Sequence, residues 1–367
     1  RRYLPYMPDF GDVITVRHLI YHTSGLRDSW RLLALGGVDS YSHRQQAQIV
    51  NMAARQRGLN FKPGTEYAYS NMNYTLLAEI VRSVTGKTLR QFTTERMFKP
   101  LQMDHTFFSD DILEIVPRRA QSYSREGDAW RRSPLNLDTY GATNLQTTVK
   151  DFARWADNFA RPKVGERALL EQFTSMGKLD DGTAINYGFA LHSEKFLGRS
   201  AVAHTGSDAG FRAIFAYFPE EDFAIALLSN SSLSESSYIE PLVEIYLGAK
   251  DGATKKPPPP PRSRAVTATN QAAPTLATLR ELEGDYRSSE LDATYTLTLK
   301  GQALTLNSIW FDEPMLLEST GKDAFLTDWP VERIRVERDA RGRATAIVLS
   351  SGSARNIRFD RLAKAKH

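Results

Sequence analysis

The sequence predicts an α+β region followed by a small all-β barrel. Three observations carry this. Thr75–Val84 places Leu76, Leu77, Ile80, Val81 and Val84 at helical spacing. Phe211–Phe218 and Phe223–Leu228 are apolar runs rich in aromatic and branched residues, separated by the turn signal Pro219-Glu220-Glu221-Asp222. Beyond residue 275 the chain alternates apolar and polar residues in short runs. The first pattern has the period of a helix face, and the last has the two-residue period of a half-buried strand. Helices first, then strands, then a helix is the α+β order: a helical region plus an antiparallel sheet flanked by helices.

Taken in order, Thr15 is placed to cap a short helix running to Ile20, since a hydroxyl there accepts from the free first-turn N–H groups. The Thr75–Val84 helix should stop at Gly86, which tolerates the left-handed geometry of a helix end. Asp151 is expected to cap a helix carrying Phe152, Trp155 and Phe159 on one side. The two apolar runs read as a buried hairpin, and Tyr238–Leu247 returns to helical spacing. A linker follows: residues 251–274 read DGATKKPPPPPRSRAVTATNQAAP. Consecutive prolines cannot extend a helix or a ladder and favour a polyproline II spacer, here roughly 15 Å long. The chain therefore divides into 1–250, a Pro-rich linker at 251–274, and 275–367. In the last part Tyr295, Leu297 and Leu299 alternate with threonines, Gly301-Gln302 turns the chain, and Leu304 and Leu306 continue. Ile334 with Val336, Ile347–Leu349, and Ile357 with Phe359 complete a set of short strands. No internal repeat is present.

Composition narrows the function classes. The 367 residues suffice for roughly two domains. Lys+Arg 47 against Asp+Glu 43 leaves a formal charge of +4, a weak field for this length, so nucleic acid is not an expected partner. With no cysteine, disulfides, thiolate catalysis and Cys-ligated zinc are excluded. No apolar run reaches the ~18 residues of a membrane span. The chain opens at Arg1, without a charged stretch leading into an apolar one, so a removed leader or a fragment is expected.

Several familiar chemistries lack their residues. His18 and His22 stand four apart, but Leu19 occupies the position where the zinc-protease pattern needs Glu, so they read as a structural pair and no metal site is expected. Neither glycine-rich phosphate motif occurs, nor a G-x-S-x-G elbow. Two other stretches hold reactive groups. In FKPGTEYAYSNMNY (Phe61–Tyr74), Tyr69, Ser70 and Asn71 lie on a connection just before the Thr75 helix, and a phenol there can carry a proton. In HTGSDAGF (His204–Phe211), glycines let a strand approach a ligand and free its N–H groups. Each alone more often reflects packing.

Their order is what carries weight. HTSGL (His22–Leu26), PGTEYAYSNMNY (Pro63–Tyr74), Thr85-Gly86, PLQM (Pro100–Met103) and HTGSDAGF together resemble the serine β-lactamase and penicillin-binding-protein-like hydrolases, over about Arg1–Gly248. The branch of class C β-lactamases, DD-peptidases, D-aminopeptidases and esterases is most similar, and the last part resembles a lipocalin-like barrel. The resemblance implies acyl-enzyme chemistry on peptide, ester or β-lactam acyl groups, with a small molecule or peptide as substrate and no cofactor. It implies proton transfer by Tyr69 and a substrate amide contact from Asn71. It sets His204-Thr205-Gly206 on the family's K-T-G strand, with Thr205 and Gly206 against the substrate. It makes the Ser207 N–H half of an oxyanion hole, a donor typically worth about 3 kcal/mol in such sites. It also suggests a periplasmic or secreted protein; oligomeric state is not legible.

The chain departs from that pattern. The family's nucleophile opens a helix as S-x-x-K upstream of HTSGL, yet none of the 21 residues before His22 is Ser. The two matches present, Ser175–Lys178 and Ser319–Lys322, fall after Tyr69, and the second lies beyond the linker. An N-terminally incomplete hydrolase domain is expected, inactive by itself, whose sheet strands around Phe211–Leu228 need an edge partner. The alternative is a non-catalytic binding protein on the same fold. An upstream S-x-x-K decides for the enzyme, and a native chain starting near Arg1 decides for the binder. Tyr140–Leu145 replaces a common Gly-Gly-Leu loop, and Gln102 a common Gly. His204 in place of Lys is neutral part of the time near pH 7, which favours a peptidase or esterase over a strong β-lactamase.

Overall fold

The computed structural model describes residues 1–39, 41–232, 238–250 and 274–363. The proline run and most of the expected linker lie outside the described residues. The chain begins with helices α1 (Val16–Ile20), α2 (Ser29–Leu35), α3 (Gln46–Arg55), α4 (Asn71–Thr85) and α5 (Leu89–Thr93), the last continuing into a π-helical turn at Thr94–Phe98. Strand β1 (Phe107–Phe108) pairs with β4 (Leu145–Gln146), and β2 (Tyr123–Glu126) forms a hairpin with β3 (Ala129–Arg132). Helices α6 (Val149–Ala160) and α7 (Arg167–Thr174) lead into an antiparallel sheet of β5 (His192–Phe196), β6 (Arg199–Asp208), β7 (Phe211–Phe218) and β8 (Phe223–Ser229), in that spatial order, followed by α8 (Ile239–Leu247).

The two faces of this sheet follow from alternation. On β7, Ile214, Ala216 and Phe218 pack with Ile239 and Val243 of α8. Phe215 and Tyr217 point the other way, onto Phe159, with Phe152, Trp155 and Phe173 of α6 and α7 beside them. The same period on β6 sends Ala201 and Ala203 to the α8 side and Val202 to the α6 side, so His204, Gly206 and Asp208 share the face of Val202. The expected hairpin is therefore present as β7–β8. β8 is an outer strand, with no partner strand on its other edge among the described residues.

Two helix starts differ from expectation. α4 begins at Asn71, not Thr75, because the Asn71 N–H donates to the Asp28 carboxylate at 2.7 Å. α6 is capped by Thr148 rather than Asp151: the Thr148 hydroxyl accepts from the Asp151 N–H at 3.2 Å. Asp151 is instead buried inside the first turn, where its carboxylate accepts from the His105 N–H and the Thr106 hydroxyl, both at 2.8 Å. Thr15 caps α1 as expected, with His18 returning the bond to the Thr15 N–H. His18 is thus a capping residue.

After α9 (Leu276–Glu281) come β9 (Gly284–Ser288), β10 (Ala293–Lys300), β11 (Ala303–Asn307), β12 (Met315–Leu316), β13 (Glu318–Gly321), β14 (Ala324–Leu326), β15 (Arg333–Arg338), β16 (Ala344–Ser351) and β17 (Ala354–Arg361). They form one antiparallel sheet whose end strands, β12 and β13, are joined through Leu317. The Leu317 N–H donates to the Leu304 carbonyl at 2.9 Å, which nearly closes a barrel. Tyr286, Tyr295 and Phe359 are fully buried within it.

The barrel and the helices share one apolar core: Leu26, Leu32, Leu35, Met72 and Leu76 are continuous with Leu282, Tyr286, Tyr295 and Phe359. The Tyr295 hydroxyl donates to the Leu35 carbonyl at 2.8 Å. The turn between β16 and β17 docks on the loop before α2, with the Ser353 carbonyl accepting from the Asp28 N–H at 3.0 Å and from Asn60 Nδ2 at 2.8 Å. Arg27 reaches from that loop to the Arg355 and Asn356 carbonyls and to Glu290 at 2.7 Å, a charge pair almost wholly out of water.

Candidate active site

The site forms where the loop before α2, the start of α4 and the end of β6 converge. His22 has φ 55 and is fully buried. Its Nδ1 accepts from the Ser70 N–H at 3.2 Å and lies 3.2 Å from Asn73 Nδ2. A backbone N–H can only donate, so Nδ1 carries the lone pair and Nε2 the proton; Nε2 has no partner among the described residues. The ring lies 4.3 Å from Tyr69, 4.7 Å from Tyr187 and 5.2 Å from Tyr74, between centroids. Burial, with lesser repulsion from His204 and His192, pushes the imidazole down to about 3. An unfolded histidine protonates near 6.5, so this contribution to stability is complete above pH 6.5 and is lost as pH falls toward 3. The slope reaches about 1.4 kcal/mol per pH unit. In urea titrations between pH 7 and 4, the protein should lose this increment and His22→Asn should not; parallel pH slopes would contradict the assignment.

Tyr69 stands beside His22 and 6.1 Å from His204, ring to ring. Burial, then the nearby Asp28 charge, pushes its phenol up to about 12. It is a proton donor at neutral pH. Among the described residues its hydroxyl has no hydrogen-bond partner, and the side chain is partly open to solvent. Asn71 is two residues away, but its Nδ2 donates to Asp28 at 2.8 Å. Asp28 also caps α2 through the Arg31 N–H at 3.1 Å, and burial raises its carboxyl despite these donors.

His204 leaves the paired part of β6. β5 begins with His192 opposite Ala203 and reaches no further along β6, whereas β7 pairs with β6 through Asp208. Among the described residues, 204–208 thus have one edge without a strand, and Thr205, Gly206 and Ser207 are exposed along it. His204 Nδ1 lies 2.7 Å from the Thr205 carbonyl. A carbonyl only accepts, so Nδ1 holds the proton and Nε2, 3.4 Å from the Tyr187 hydroxyl, is left as the acceptor. Burial lowers the His204 pKa, outweighing the Thr205 bond. His192 stacks on the other side at 5.5 Å.

The structure thus brings Tyr69, His204, Thr205, Gly206 and Ser207 to one region, and ties the Asn71 amide to Asp28. Sequence reasoning missed His22 as a packing hub, and it missed Asp28, Tyr187 and His192. Asp28 follows HTSGL by two residues; Tyr187 and His192 carry no local signal. The two Ser-x-x-Lys matches serve other ends. The Ser175 hydroxyl donates to the Glu171 carbonyl at 2.8 Å, past the end of α7, and Ser319 donates to the Gly321 carbonyl at 3.0 Å within the barrel. Among the described residues there is no group of three or more His, Asp or Glu side chains arranged for a metal, and no helix long and apolar enough to cross a membrane.

This α+β fold, with a tyrosine facing the open end of a sheet strand, defines a β-lactamase-like hydrolase scaffold. The chain belongs to the Beta-lactamase family, whose model matches residues 1–249. It is 25% identical over 248 residues to a D-aminopeptidase of Cereibacter sphaeroides, covering 67% of this chain and 48% of that protein; it spans about half the length of that relative. A D-aminopeptidase of Brucella ovis is 24% identical over 439 aligned positions, covering 97% of this chain and 83% of that protein. Among solved structures, the octameric penicillin-binding protein homologue from Pyrococcus abyssi is similar in fold, with TM-score 0.59 and 19% identity, over 98% of this chain and 81% of that one.

Proposed function

We propose that this chain is part of a serine acyl hydrolase that cleaves amide or ester bonds through an acyl-enzyme, with D-aminoacyl amides and peptides as the preferred substrate class. The observation that carries this is the placement of Tyr69 and His204 beside the unpaired edge of β6 at His204–Asp208. The names of the Cereibacter and Brucella relatives support the substrate class. The nucleophilic serine and its lysine lie on a segment preceding Arg1. Its Oγ attacks the carbonyl carbon as the lysine takes the hydroxyl proton, the Ser207 N–H receives the developing oxyanion, and the C–N bond breaks as a proton reaches the leaving amine. Tyr69, protonated at neutral pH, is the donor for that amine. Asn71, its Nδ2 held by Asp28, offers its amide oxygen to the substrate, which the Thr205-Gly206 edge also holds. Water then cleaves the ester. Neutral His204 suits an uncharged leaving group better than a carboxylate. The reaction uses no cofactor, the protein acts in the periplasm or outside the cell, and residues 275–367 form a lipocalin-like unit that buttresses the site.

The test is the full-length gene product with a fluorophosphonate and with D-alanine p-nitroanilide. Stoichiometric labelling and turnover of the D but not the L anilide are expected. A protein that resists labelling and turns over neither anilide nor ester would be a binding protein on this fold.

A further inference from the structure

A cavity of about 290 Å³ opens at the far end of β6, lined by Tyr41, Arg44, Ser133, Asn136 and Asp208, among others. That is the volume of roughly ten waters, room for one residue of a peptide. Asp208 follows Ser207 directly. By the strand period its side chain shares the face of His204, and Gly206 between them carries no side chain. A ligand lying along this face therefore meets His204 at one end and a carboxylate at the other, with the Ser207 N–H near the middle.

The Asp208 carboxylate accepts from the Thr143 hydroxyl at 2.6 Å and from the Ala209 N–H. Burial raises the acid above its ordinary value even though Thr143, Arg44, the Ala209 N–H and Arg212 all act to lower it. These groups do not offset the partial burial of the acid, so an ammonium group placed against it in the cavity would be stabilised. Arg44, the other charged wall, is stacked over the Trp30 ring at 4.9 Å.

We propose that Asp208 and this cavity receive the free α-ammonium group of the substrate's amino-terminal residue, making Asp208 the residue that selects aminopeptidase substrates over N-acylated ones. The proposal rests on the acyl-hydrolase reading above. With the scissile carbonyl at the Ser207 N–H and the leaving group toward His204, the acyl residue and its ammonium fall on the Asp208 side.

The experiment compares kcat/KM of the full-length protein for D-alanine p-nitroanilide and its N-acetyl derivative. The wild type should prefer the free amine by about 100-fold, the scale of a buried charge contact. Asp208→Asn should remove most of that preference by lowering only the free-amine rate, and Asp208→Glu should restore part of it. A wild type with no preference, or an equal loss on both substrates in Asp208→Asn, overturns the proposal. Should Asp208→Asn fail to fold, the wild-type preference and the Asp208→Glu ratio still decide it. If the wild type takes fluorophosphonate but shows no preference, this inference fails and the hydrolase reading stands. If it takes none, both fail.

Discussion

Tyr69→Phe in the full-length protein should lower kcat by about 10²–10⁴-fold, the usual share of a positioned general acid or base. The reasoning rests on what the phenol does in the structure. Its ring packs on His22 at 4.3 Å and faces His204 at 6.1 Å, contacts that phenylalanine keeps. Its hydroxyl bonds to no described residue, so deleting it leaves no buried donor or acceptor stranded. Stability should therefore change by less than about 1 kcal/mol, and KM should move little. A loss confined to kcat, measured on D-alanine p-nitroanilide with the melting temperature as control, is the expected signature. A kcat within a few-fold of wild type would remove Tyr69 from proton transfer.

Arg27→Met should cost about 3–5 kcal/mol of folding stability, the range for breaking a buried ion pair by removing one partner. Arg27 and Glu290 are only 3% and 5% exposed, and burial works against the charge of both, lowering the Arg27 pKa and raising that of Glu290. Glu290 also accepts from the Arg57 N–H at 3.2 Å, so losing the guanidinium strands a carboxylate that the backbone satisfies only in part. Replacing both partners, Arg27→Met with Glu290→Leu, should recover most of the loss, because apolar groups need no compensation there. Guanidinium denaturation reads all three proteins. A cost under 1 kcal/mol for Arg27→Met, typical of a surface pair, would mean the barrel is not clamped through this contact. Since Asp28 is the next residue and binds both Ser353 and Asn71, the same variant should also weaken the active-site loop.

The sheet hairpin β7–β8 and the barrel strands were legible because alternation over several residues reports a buried face directly. The Thr15 cap was legible for a similar reason: it is a local bond. The start of α4 was not, since a carboxylate 43 residues earlier in the chain sets it. The start of α6 was misread because Thr148 and Asp151 are both good caps and the apolar pattern begins only at Phe152; Val149 is 53% exposed and adds no signal. At the site, Tyr69 and the His204–Ser207 strand were readable as ordered motifs. His22, Asp28 and Tyr187 act through packing and bonds between distant segments, which single-sequence spacing does not encode. The Pro-rich composition at 251–274 marks a boundary in the chain, but no local pattern reports that the helices and barrel share one core through residues such as Leu35 and Tyr295.

The most direct test is the position of the covalent adduct. The full-length protein, treated with a fluorophosphonate and digested, should show a single modified serine, followed three residues later by lysine, on the N-terminal side of Arg1. The adduct should fail to form in a variant lacking that serine. An adduct on Ser175, on Ser319 or elsewhere within this chain, or no adduct on an otherwise folded protein, would contradict the assignment of the Tyr69–His204 region as a serine acyl-transfer site.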